Sequence, residues 1–579
     1  MNRKNKILSY TVSYVIAAII AFLVYYVTLP AINLQSGGFY VYLTFVIALA
    51  CAPIWILSHD KGFLTQILED MANGGKHKKR KGDFVFPKKS KKSVIMLVII
   101  CVPMVVLILG SLISSTVFNA RAYSEIITVS EENFEEDMPK TEKVTNIALM
   151  DTDTARIIGN RTLGSLSDVV SQFEISEDYN QINYLRTPKK VANLEYAGFF
   201  KWLGNRSSGI PGYVMVDPVN NNAEYKELSK PLKYVDSGYL GDDLMRKLRF
   251  SYPTKILGDP RFEIDDLGNP VYIVPCYKPQ VLLFGAEDVS EVIIFDPCTG
   301  DSEIYDLAST PAWIDVVYDG YLACEKYDWK GIYSGGFINS IIGNKDCVQT
   351  TDDFGYVILG DDVWYYTGVT SVNSDKSNIG FILSNARTGE YKFYPVIGAE
   401  EHSAMTAAEG HVQEKGYVAS FPVLINVEGE ATYIMVLKDK GGLVRLFALV
   451  NVEQYSVVAT AATQTEAMSK YKTLLFENGI IDDPGNDPVI DPEDTEEITM
   501  LVDKITLVAH DGESYIYFTG LSSKTGNIIL RKAVKDDPTL LFIEENDTIK
   551  FKAKATENAS IFEIASFEKI PVPVETPQA

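Results

Sequence analysis

Apolar and polar residues fall into two regimes along this chain. In the first fifth, three unbroken apolar runs, Ile7–Val27, Phe39–Leu57 and Val94–Ile113, each approach the ~20 residues that carry a helix across a bilayer core. They predict three membrane spans. Ile7–Val27 exceeds the usual apolar core of a signal peptide, and no small-x-small cleavage pattern precedes the second run, so it reads as a retained anchor. Cationic residues flank the spans on one side only. Arg3, Lys4 and Lys6 precede the first, ten Lys/Arg fall between positions 59 and 93, and Pro30–Gly38 has none. The positive-inside bias then makes the N-terminus and the basic loop cytoplasmic and puts the large C-terminal region outside, as in a multi-pass plasma-membrane protein. Within the loop, Phe63, Leu64, Ile67, Leu68 and Met71 share one face of a short helix. Such a helix can lie at headgroup level beside anionic lipid; the plainer alternative is a loop that serves topology alone.

Beyond residue 117 the pattern changes to short alternating strands, and it repeats. An apolar strand, a D/N-x-x-x-G-type turn and a second strand recur in GYVMVDPVNNNAEYKEL (Gly212–Leu228), EVIIFDPCTGDSEIYDL (Glu291–Leu307) and IGFILSNARTGEYKFYPV (Ile379–Val396). A divergent fourth copy is YIMVLKDKGGLVRLFALV (Tyr433–Val450). Turn residues between alternating apolar runs predict antiparallel hairpins with one buried face. Helical stretches precede them at Thr154–Leu163, Asp242–Phe250, Ile314–Tyr327 and Glu400–Gln413, with a further strand between helix and hairpin, as at Pro270–Tyr277 and Asp362–Val372. Each unit reads as one helix on a small antiparallel sheet, an α+β architecture. After a helix at Thr465–Glu477 and a Pro/Asp/Glu-rich linker, five strands follow in short order at 505–512, 514–521, 527–534, 548–555 and 560–570. They predict a small C-terminal β-barrel, and LFIEENDTIKFKAKA within it is similar to the OB-type barrel segment where an acidic turn starts a binding-face strand. The domain reading is an anchor over 1–117, modules over 118–230, 231–310, 311–396 and 397–480, an acidic linker over 481–498 and a barrel over 499–570.

The V-D-x-x-T-G-x-V character of these hairpins resembles the PepSY and cystatin-like class of extracytoplasmic modules. The longer strings YTGVTSV (366–372), SNIGFILSNARTGE (377–390) and GAEEHSAMTAAEG (398–410) resemble an uncharacterised family of Gram-positive membrane-anchored proteins. The resemblance implies fold class and location and assigns no site residue; PepSY-like and cystatin-like modules are also associated with restraint of peptidases.

Charge sharpens the division. Of 53 Lys/Arg and 76 Asp/Glu, residues 1–117 hold 13 and four, leaving 40 and 72 beyond, a net −32. Such a region repels nucleic acid and suits basic partners, divalent cations or plain solubility. Cys276, Cys298, Cys324 and Cys347 follow the spans, where disulfides are permitted. Cys324 and Cys347 are the favoured pair, and four free thiols are the alternative.

Candidate chemistry is sparse. His402 and His411 sit nine apart on one predicted helix and so on opposite faces, unable to share a metal. Glu400, Glu401 and Glu409 beside them read as solvent-facing acids, and His510 stands alone. Asp151 and Asp153 begin a weak calcium-loop pattern, but Arg156 occupies the tight-turn position and no twelfth-position Glu follows. The linker acids Asp482, Asp483, Asp487, Asp491, Glu493 and Asp494 offer loose calcium ligands or simple solvation. Aromatics in YDWKGIYSGGFINS (327–340) and FFKWLGNRSSGIPGY (199–213) suit either partner contacts or caps over small cores. No catalytic, metal or cofactor residue is assigned. The expectation is a non-catalytic binding or scaffold protein of the cell envelope, with an envelope protein, a polymer or further copies of itself as partner and no nucleic acid. The alternative is a regulator or inhibitor of an extracellular peptidase; third is an enzyme of unrecognised mechanism. Orientation is testable on intact cells: an engineered thiol at Gly485 should react with a membrane-impermeant reagent and one at Gly82 should be spared, and the opposite labelling would invert the topology.

Overall fold

The computed structural model describes residues 3–58, 91–141, 144, 147–351, 353–481, 496–510, 513–522, 526–534, 540–541, 543–545, 547–555 and 561–569. The Phe63–Met71 helix and the linker acids lie outside them. Helices α1 (Arg3–Thr28), α2 (Gly37–Ser58) and α3 (Lys91–Ser114) contain the stretches Tyr10–Thr28, Gly37–Trp55 and Ser93–Ser114, each long and apolar enough to cross a membrane. After α3 come α4 (Thr116–Ser124), β1 (Val129–Glu131) and α5 (Phe134–Asp137).

Four five-stranded sheets of one plan follow. The first has β2 (Phe173–Ile175), β3 (Asn180–Tyr184), β4 (Thr187–Tyr196), β5 (Ile210–Asp217) and β6 (Asn222–Leu232). The second has β7 (Ile256–Leu257), β8 (Arg261–Ile264), β9 (Pro270–Val281), β10 (Gly285–Phe295) and β11 (Ser302–Asp306). The third has β12 (Val348–Thr350), β13 (Gly355–Leu359), β14 (Asp362–Ser371), β15 (Ser374–Asn385) and β16 (Tyr391–Tyr394). The fourth has β17 (Val418–Ala419), β18 (Val423–Val427), β19 (Glu430–Lys438), β20 (Val444–Asn451) and β21 (Val458–Ala461). In each, two short strands share a long third strand, which pairs with the fourth and that with the fifth. Strand β1 joins the third sheet parallel to β16, with Val129 opposite Tyr391.

A helix precedes each sheet: α6 (Thr152–Gly164), then, after α7 (Phe199–Asn205) between β4 and β5, α8 (Leu244–Ser251), α9 (Gly320–Tyr333) and α10 (Glu401–His411). All four begin on an acid, Asp151, Asp243, Asp319 or Glu400, whose carboxylate accepts a first-turn N–H and complements the helix dipole. The fourth strand of each sheet ends on Asp217, Asp296, Asn385 or Asn451, whose side-chain oxygen accepts N–H groups two or three residues on. In the last three units the next carbonyl reaches the segment feeding the unit's own helix. Pro297 accepts from Lys233 and Tyr234, Ala386 from Val317 and Tyr318, and Val452 from Ala399.

Three expectations need correction. Tyr433–Val450 joins β19 to β20, one strand earlier than the other three hairpins, so the equivalent turn is Asn451–Val458. The third helix starts at Gly320, because Val317 and Tyr318 spend their N–H groups on Ala386. The sheets are not half-solvated: on β14, Trp364 and Tyr366 enter a core shared with the fourth unit, while Val363, Tyr365 and Val369 enter another under α9. On β9, Tyr272 and Val274 face the first unit while Val271 and Ile273 meet Ile314 and Val317.

All six cysteines are free. The Cys347 thiol lies at the Ile332 carbonyl near the end of α9, eight residues past Cys324 on that helix. That is ~12 Å along the axis, beyond disulfide reach.

After α11 (Gln464–Glu477), β22 (Glu496–His510), β23 (Glu513–Ser522), β24 (Gly526–Ala533), β25 (Thr548–Ala555) and β26 (Ile561–Lys569) close a barrel in the order β22-β23-β24-β26-β25. Its core holds Met500, Val502, Phe518, Leu530 and Phe551. The chain divides into two compact units, residues 1–474 and 475–579.

Within the first, the second module sits on the anchor. Arg249, 5% exposed, donates through Nε to the Leu29 carbonyl at 2.9 Å and through Nη1 to Tyr252 and Lys255. Arg246 donates to the Tyr26 carbonyl at 3.2 Å and stacks 4.3 Å over its ring. Two guanidinium groups thus cap the C-terminal end of α1, where unpaired carbonyls carry partial negative charge. Arg249→Ala would leave part-buried carbonyls unpaired beside the helix end; we expect thermal unfolding of the detergent-solubilised full chain to show a loss of about 2–4 kcal/mol, with Arg249→Lys recovering part of it.

Candidate functional site

The inner short strands β3, β13 and β18 each pair on one edge with their own long strand, and they converge on a cavity of about 470 Å³. Its floor is apolar, with Met138, Leu149, Met150, Phe354, Phe421 and Leu424. Such a wall carrying a few convergent polar groups is the usual make-up of a ligand site.

Lys190 is the group that stands out. It lies on β4 with only 4% of its surface exposed. Its Nζ sits 3.5 Å from Thr152 Oγ1 and 5.6 Å over the Tyr356 ring. Among the described residues no carboxylate forms an ion pair with it. The nearby Asp151 is bound to Lys438 and to the Thr154 N–H. Burial pushes the Lys190 amine down to about 8, against the upward pull of Asp151. Burial alone would raise the Asp151 carboxyl, but Lys438 and Thr154 outweigh it and hold the group below its usual value. The result is a dry amine, close to half-charged in mildly alkaline water, opening on an apolar cavity. It can pair with an anionic group or, when neutral, act as a nucleophilic amine.

A second polar cluster is structural. Glu263 accepts the N–H groups of Asp315 and Val316 at 3.1 and 3.0 Å, and Asp315 accepts that of Asn183 at 2.9 Å. Burial pushes both carboxyls up, and their hydrogen bonds pin the first three units together.

The residues singled out from sequence are scattered. His402 and His411 both face solvent. Glu400 and Glu401 are not solvent-facing as expected. Glu400 caps α10, and fully buried Glu401 accepts from the Gly368 N–H at 2.6 Å and the Thr351 hydroxyl at 3.0 Å. Burial pushes Glu401 up to about 7. Glu409 accepts the Ala419 N–H. Asp151 caps α6, and Asp153 only meets Arg156, so no calcium loop forms there. The side chain of His510 lies outside the described residues. Trp202 and Tyr327 are buried caps, whereas Phe199 and Phe200 stay exposed. Sequence reasoning missed Lys190; its one signal is the Lys189-Lys190 pair in a strand, which sends one lysine to each face.

No family model matches this chain, and neither a curated protein nor a solved structure does.

A buried amine whose value falls on folding opposes folding wherever the unfolded chain holds the proton more tightly. That cost is full below about pH 8 and fades as pH rises toward the free-lysine value of 10.5. Lys190→Met should therefore stabilise the protein at pH 7, by up to about 3 kcal/mol, and the gain should vanish near pH 11. Thermal unfolding of both proteins across that range checks it.

Proposed function

We propose that this chain is a membrane-anchored binding or scaffold protein of the bacterial cell envelope, non-catalytic, built from PepSY/cystatin-like units and an OB-like barrel. The parallel pairing of the barrel's third and fifth strands, with its first and fourth strands closing it, supports the OB-like reading. The helix followed by an antiparallel sheet in four copies supports the PepSY/cystatin-like one.

The observation that carries the proposal is the cavity bounded by three sheets with Lys190 inside. A buried amine without a carboxylate partner lowers stability, and groups retained at such a cost are commonly there for function. Of the strands around the cavity, β13 has an edge that no strand of its own sheet takes up, and such an edge suits an extended polypeptide segment, which adds by backbone pairing. An acidic group on that segment would give Lys190 its counter-ion and raise its proton affinity. The partner is thus read as an envelope protein presenting an extended, acidic segment.

A photo-crosslinking residue in place of Val357, at the cavity, should trap a discrete adduct in living cells. One in place of Lys440 should trap none, and Lys190→Met should abolish the Val357 adduct while leaving the protein folded. No adduct at Val357, or one indifferent to Lys190→Met, would overturn the assignment.

A further inference from the structure

Exposed apolar side chains cluster where the modular body meets the anchor. On α7, Phe200 is 83% exposed and Leu203 49%, beside Leu240 at 55%. Phe199 connects them, its ring 5.1 Å from Tyr239. The Leu240 carbonyl accepts from Arg246 Nη1 at 2.7 Å, and that same guanidinium caps Tyr26 in the last turn of the Tyr10–Thr28 span. One arginine therefore separates this patch from the point where a span leaves the hydrocarbon.

A second patch follows the helix that packs beside the end of the third span. Helix α9 starts near the cavity, with Tyr321 5.1 Å from Phe354, and runs to the anchor, with Trp329 5.2 Å from Tyr123. The Tyr123 hydroxyl donates to the carbonyl of Ser114, the last residue of that span. Beyond the end of α9, Ile338, Ile341 and Ile342 are 74%, 61% and 82% exposed. Asn339 Nδ2 donates to the Lys345 carbonyl at 2.8 Å and closes the turn. Between the patches, Phe284 packs against Tyr40 at 5.6 Å and against Gly110, where any side chain would meet its ring.

We infer that the modular body lies down on the bilayer that anchors it, dipping the α7 patch and the 338–342 turn into the leaflet on its own side. The occupant is phospholipid, because each patch belongs to an element tied to the end of a span that lipid must surround, the first through Arg246 and the second through Trp329 and Tyr123. Side chains this exposed and this apolar are costly in water and suit the headgroup–acyl boundary. Arg206, stacked 4.7 Å over Trp202 and 3.6 Å from Asp242, leaves nearly half its side chain exposed beside the first patch, where phosphates would lie. The anchor and the two patches then hold the body at three points, which fixes its tilt as well as its position.

The test uses the full chain in phosphatidylcholine–phosphatidylglycerol nanodiscs, with an azide-bearing residue replacing Phe200, Ile342 or Lys440 and carrying a polarity-sensitive dye. Lipids spin-labelled at a shallow acyl position should quench the dye at 200 and at 342 several-fold more than at 440, with blue-shifted emission at both. Equal quenching at all three, or strong quenching at only one patch, would overturn the two-point seating.

Discussion

One carbonyl just past the fourth strand decides where three of the four module helices begin. In three units, Pro297, Ala386 and Val452 accept N–H groups from the segment that leads into the unit's own helix. Those N–H groups would otherwise be buried without partners, a cost comparable to a lost hydrogen bond. The tie lands the helix on its own sheet and not on a neighbour's. It also leaves the opposite sheet face bare, and that face carries residues such as Trp364, Tyr366, Val271 and Ile273. Only another unit can cover them. Stacking into a single body therefore follows from the local tie together with long strands that are apolar on both faces.

Stacking decides the fate of the polar groups at the joints. A carboxylate with backbone donors can be buried there, as Glu263, Asp315 and Glu401 are. A fork-to-carboxylate pair can be half-buried: Arg387 holds Asp362 through Nε and Nη2 at 2.7–2.9 Å. In both cases the lost hydration is replaced by directed hydrogen bonds. Lys190 has only a long contact to a hydroxyl and an aromatic face. That contrast sets it apart from the other buried charges and makes the cavity the candidate site.

What the sequence revealed was what local pattern encodes. Three apolar runs, the first three hairpins and the last four terminal strands appear close to where composition and alternation place them, whereas the first barrel strand starts at Glu496, nine residues ahead of its expected place. The fourth hairpin went astray because Gly441-Gly442 is a louder turn signal than Asn451, although Asn451 ends the strand equivalent to those ending at Asp217, Asp296 and Asn385. Glu400 and Glu401 looked like solvent-facing acids because helical periodicity does not reveal a cap or a distant N–H such as that of Gly368. The cavity was illegible for a similar reason. Its walls come from β3, β13 and β18, the first and last of which lie more than 200 residues apart in sequence, and no short window contains them.

The connection from anchor to body carries the same long-range character. Residues just past the third span reach across the molecule: β1 pairs with β16, and Thr141 donates to the Asn426 carbonyl while Asn426 Nδ2 returns a bond to Met138. These contacts close loops of well over 200 residues, and loop closure of that size is slow compared with forming a local hairpin. The third and fourth sheets must exist before β1 and α5 have anything to pair with. The spans are complete within the first 114 residues, so the body closes against an anchor already made. Arg246 and Arg249 then lock the second unit onto the terminal carbonyls of α1. The link between the apolar helices and the modules is thus a packed joint with three separate attachments, and it transmits orientation in a way that a flexible tether would not.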